Sequence, residues 1–105
     1  MDLTSDEERW AVWTVQAHRF AKRENFTDAV ARTKLVRNAV QQAFGEATDP
    51  KQHQRLERRL ARAKEQLASM ESRYEAWRSE IAARRQHTID QAEQEMARPL
   101  PVPAD

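Results

Sequence analysis

Five cations stand at helical spacing in the middle of this chain: Lys51, Arg55, Arg58, Arg59 and Arg62. At 100° per residue they fall within an arc of about 100°, and Arg73 and Arg84 return to it. A guanidinium fork meets phosphate or carboxylate oxygens two at a time, so a ridge of arginines suits oxyanions. Two kinds of partner fit. One is the acidic edge of a neighbouring helix, which would set orientation as e and g pairs do in coiled coils. The other is the backbone of DNA or RNA, where each neutralised phosphate releases counterions and affinity falls with salt. No helix-turn-helix turn, zinc finger or RNP pattern accompanies the ridge, so direct reading of base sequence is not expected.

Other chemistry finds little to work with. His18, His53 and His87 are scattered, with no pair at i, i+3 or i+4 around a carboxylate, so no metal site is expected. The carboxylates sit mostly beside bases at helical spacing, the pattern of a solvated face, and none is paired in an apolar surround that would raise a pKa. One Gly cannot build a phosphate-cradling loop, and no Cys means no disulfide, thiolate ligand or thiol nucleophile. The expectation is a protein that is not an enzyme and holds no cofactor. Asn25-Phe26-Thr27 fits the glycosylation pattern, but the acidic start from Asp2 to Glu8 is unlike a signal peptide, so a cytoplasmic setting is expected. No apolar run approaches the roughly 18 residues of a membrane span.

The elements that must carry the ridge are helices. One Gly in 105 residues leaves too few tight-turn residues for a sheet protein. Thr4 or Ser5 can cap a first helix over about 5–24, with Glu7 completing a capping box. Trp10, Trp13, Ala17, Phe20 and Ala21 give it one apolar face, and Val12 and Val15 on other sides suggest a sandwiched helix. Thr27 can cap a second helix over 28–44, apolar at Ala29, Val36, Ala39, Val40, Ala43 and Phe44. Gly45 stands where a left-handed residue ends a helix. Thr48-Asp49-Pro50 starts a third that nothing interrupts until Pro99, over about 50–97, or about 70 Å.

Along the third helix Leu56, Leu60, Ala63, Leu67, Met70, Tyr74, Trp77 and Ile81 advance by alternating steps of four and three, a heptad seam. Arg84 and Thr88 then interrupt it, and a shifted set of Ile89, Ala92 and Met96 takes over, as at a stutter. The first two helices, each about 25–30 Å long, could cover much of Leu56–Ile81 but not the end toward Met96. The predicted fold is therefore all-α: a short αα-hairpin packed on one long coiled-coil-like helix, a single helical domain over 1–97. A Pro-rich tail follows over 98–105, and Arg98 with its spaced prolines loosely resembles an SH3 ligand.

Charge is segregated. Residues 1–17 hold four acids and one base, residues 18–64 twelve bases and five acids, and residues 65–105 five bases and eight acids. The function expected is a helical interaction module that self-associates, a dimer being favoured, through Leu60, Leu67, Met70, Tyr74, Trp77 and Ile81, and binds or scaffolds a protein partner. The alternative is a small accessory protein contacting nucleic-acid phosphates through Lys51, Arg55, Arg58, Arg59 and Arg62. No membrane partner is expected.

Overall fold

A computed structural model describes residues 4–99, and they form three helices: α1 (Thr4–Lys22), α2 (Phe26–Glu46) and α3 (Pro50–Ala97). The all-α hairpin followed by one long helix is the architecture expected. The tail from Leu100 onward lies outside the described residues. The chain divides into two compact units, Met1–Tyr74 and Glu75–Asp105, the division falling inside α3. The sequence draws no boundary there, because the helical pattern runs straight through it.

The first unit is built around Trp10 of α1, Val36 and Val40 of α2, and Leu56, Leu60 and Ala63 of α3. Leu56 and Val40 are sealed most completely. Farther along, Ala17, Ala21, Phe26 and Ala29 meet the same fate, as do Leu67 and Met70. The small side chains let helix backbones approach and the large ones fill the space between, the ordinary division of labour in packed helices. Thr33 is the one buried polar residue among those described; its hydroxyl donates to the Ala29 carbonyl at 2.8 Å, so nothing polar is stranded there.

The joint between α1 and α2 differs from expectation. The break is Arg23–Asn25, and Phe26 already begins α2. Glu24 takes φ 62°, the left-handed region. Its N–H donates to the Ala21 carbonyl, and the Asn25 N–H donates to the Phe20 carbonyl five residues back. That pair of bonds is a Schellman motif, with Glu24 in the position glycine usually takes. Asn25, not Thr27, then caps α2, its side chain accepting from the Asp28 N–H and donating to the Asp28 carboxylate at 2.7 Å. A turn of three residues needs one residue to close one helix and the next to open another; Phe26 is thereby free to enter the core.

Gly45 does not play the terminating part. It lies within α2, away from the left-handed region, and the helix ends at Ala47 in extended backbone. Val12 and Val15 stay about half exposed, so α1 is covered on one side and not sandwiched. The start of α3 follows the sequence: Pro50 opens it, and the Asp49 carboxylate accepts from the Gln52 N–H at 3.4 Å.

The second unit is described through the last part of α3, Glu75 to Ala97. Its helix is supported by its own side chains: Glu75 with Arg78, Glu80 with Arg84, and Gln86 donating to Asp90. Trp77 and Ile81 are half-buried, and every described residue beyond Ile81 is exposed. Among the described residues no helix is long and apolar enough to cross a membrane.

Candidate functional site

The ridge forms as a surface. Lys51, Arg55, Arg58, Arg59 and Arg62, with Gln54 among them, line one shallow depression of about 280 Å³ on α3. Spacings of three, four and seven residues bring these side chains to one helical face.

Two of the five are held by α1. The Arg55 guanidinium reaches both carboxylate oxygens of Glu7 at 2.9 Å, an ion pair across 48 residues of sequence. The Arg59 guanidinium lies over the Trp10 ring, 5.1 Å from its centroid, close enough for cation–π attraction. Trp10 thus has two parts: one side of its ring belongs to the core, and the other carries an arginine. Lys51, Arg58 and Arg62 have no described carboxylate within ion-pairing distance, which leaves three cations facing solvent with their donors unspent.

Glu7 and Trp10 are the ridge residues that sequence reasoning missed. Glu7 reads as a capping-box acid, but α1 already starts at Thr4 and Glu7 turns to α3 instead. Only their spacing of three on one helix hints that they could serve the same neighbour.

The apolar seam is divided between two roles. Leu60, Leu67 and Met70, expected to face a second chain, are buried against α1 and α2 within the first unit. The physical reason is reach: two helices of 19 and 21 residues suffice to cover the seam as far as Met70. Tyr74 is half-buried, its ring 6.4 Å from that of Phe26, over which Arg73 also lies. In the second unit Trp77 and Ile81 keep part of their surface, Ile89 is 50% exposed and Met96 85% exposed.

The first unit also holds an open hollow of about 210 Å³ between its three helices, floored by Ala17, Val36 and Met70. His18, Glu65 and Ser69 share its rim, but no hydrogen bond joins His18 to either, so the contacts of a nucleophile, base and orienting acid are not made. His53 stacks on Phe44 with ring centroids 4.2 Å apart. Among the described residues no three His, Asp or Glu side chains converge as metal ligands would. No family model matches this chain, and comparison with curated proteins and with solved structures returns no match to either.

Proposed function

We propose that this protein is a non-catalytic helical assembly module, which self-associates through the outer part of α3 and so presents its first unit to a protein partner. One observation carries the reading. Large apolar side chains continue along α3 beyond the last fully buried one, and Ile89 and Met96 stand in water at 50% and 85% exposure. Burying such side chains yields about 1.5–3 kcal/mol each, so a surface that matches them is favoured to cover them. Light scattering over a concentration series tests this. A mass of two or more chains that falls to one chain in the double variant Ile89→Asp, Met96→Asp supports the reading. A single-chain mass at every concentration overturns it.

The second reading is nucleic-acid backbone binding through the ridge, favoured by three cations without acidic partners beside two that α1 holds in place. Restrained side chains lose less entropy on binding than free ones, so Arg59, held over Trp10 with no described carboxylate on its donors, is a ready-made contact. A gel-shift titration at two salt concentrations decides it. Binding that weakens steeply with salt, and disappears when Arg58, Arg59 and Arg62 become Glu, supports backbone recognition. No shift at low salt removes it.

A further inference from the structure

We infer that the occupant of the outer α3 surface is a second copy of the same segment, laid antiparallel across it. This inference rests on the self-association reading above and adds its orientation and register.

The apolar residues of this segment form one stripe. Trp77, Ile81, Ile89, Ala92 and Met96 fall within an arc of about 120° on the helix. Ile89, Ala92 and Met96 are exposed, and Trp77 and Ile81 are half-buried, so every one has surface left to lose.

Charge decides what can lie there. From 78 to 85 the helix carries Arg78, Arg84 and Arg85 against one acid, Glu80, which is already joined to Arg84. From 90 to 95 it carries Asp90, Glu93 and Glu95 with no base. A parallel copy would set arginines beside arginines and carboxylates beside carboxylates. An antiparallel copy brings the arginine-rich end of one segment alongside the carboxylate-rich end of the other, which favours that orientation over the parallel one.

The apolar pattern admits the same arrangement. With the two-fold axis between Gln86 and His87, Trp77 lies level with Met96 of the second copy and Ile81 with Ala92 of the second copy. Both layers repeat on the other side of the axis, and Arg78 comes level with Glu95 of the second copy. The centre is filled by Arg85 and Thr88, polar residues on an otherwise apolar stripe. Polar groups at such positions fix register in helical pairs at some cost in strength, so a specific and readily exchanging dimer follows.

The absence of native cysteine gives a clean test by cross-linking. Two full-length variants are made, Ile81→Cys and Ala92→Cys, with circular dichroism confirming that each keeps its helix. Each is oxidised alone and as an equilibrated mixture, then run on a non-reducing gel. The antiparallel register puts residue 81 beside residue 92 of the other chain but about 16 Å from its own counterpart, beyond disulfide reach. A covalent dimer from the mixture, and little from either variant alone, is the expected result. Self-cross-linking of each variant alone means parallel chains and overturns the inference. No cross-link in a mixture whose light-scattering mass is that of a dimer overturns the register while self-association stands. A single-chain mass overturns both.

Discussion

The two parts of α3 have similar composition and opposite fates. Up to Tyr74 the helix contributes Leu56, Leu60, Ala63, Leu67 and Met70 to a sealed interior; from Glu75 onward no described residue is fully buried. In the first part, helix content is secured by tertiary packing against α1 and α2. In the second it rests on helix-forming residues and local pairs such as Glu80 with Arg84. The lesson is that one apolar seam can serve as core or as surface, depending on whether a neighbouring element reaches it.

The largest effect that separates the two parts is a charge placed on each. Leu67→Asp puts a carboxylate where only 7% of the residue sees solvent, and loss of the cooperative thermal transition of the first unit is expected. Met96→Asp, at an 85% exposed site, should shift monomer stability by no more than about 0.5 kcal/mol while lowering the dimer mass in light scattering. Equal stability losses from both would erase the distinction between core and surface seam.

Next in size is Phe26→Ala. Phe26 is buried, with Tyr74 and Arg73 against its ring, and its truncation should destabilise by about 3–5 kcal/mol in urea titration. A cost below about 1 kcal/mol would mean that the end of the first unit collapses around the missing ring.

Two substitutions should stabilise. Glu24 holds a left-handed conformation that glycine adopts freely, and Gly45 sits in a helix where an added Cβ meets nothing within 4 Å. Glu24→Gly and Gly45→Ala should each raise stability by roughly 0.5–1 kcal/mol, read from the denaturation midpoint. Destabilisation by Gly45→Ala would contradict a glycine set in open space within a helix.

The smallest expected effect is on the tie between α1 and the ridge. A double-mutant cycle on Glu7→Gln and Arg55→Gln should give a coupling of about 0.2–1 kcal/mol, because Arg55 remains largely exposed. The coupling should shrink in high salt. If the ridge binds phosphates, Glu7→Gln should also strengthen that binding, since it releases Arg55 from its carboxylate.

Much of this was legible in the residues themselves. The heptad spacing of Leu56 to Ile81, the Asp49-Pro50 start and the near absence of Gly specify three helices, because periodicity and capping are local and each is written in neighbouring residues. The ridge was legible for the same reason: Lys51 to Arg62 share one face whatever the helix packs on. Local signals misled at both joints: Thr27 looks like the cap of α2 but Asn25 serves, and Gly45 looks like its end but lies inside the helix; several nearby residues could close the first turn, and only the seating of Phe26 selects one.

What the linear pattern left open was partnership. It could not say that Glu7 would leave a capping box for Arg55, that Trp10 would carry Arg59, or that Leu60, Leu67 and Met70 would be covered by their own chain while Ile89 and Met96 were not. Those outcomes depend on which surfaces distant segments bring together, and burial is a property of neighbours in space. A side chain's chemistry is its own, but its exposure is decided by what arrives to cover it.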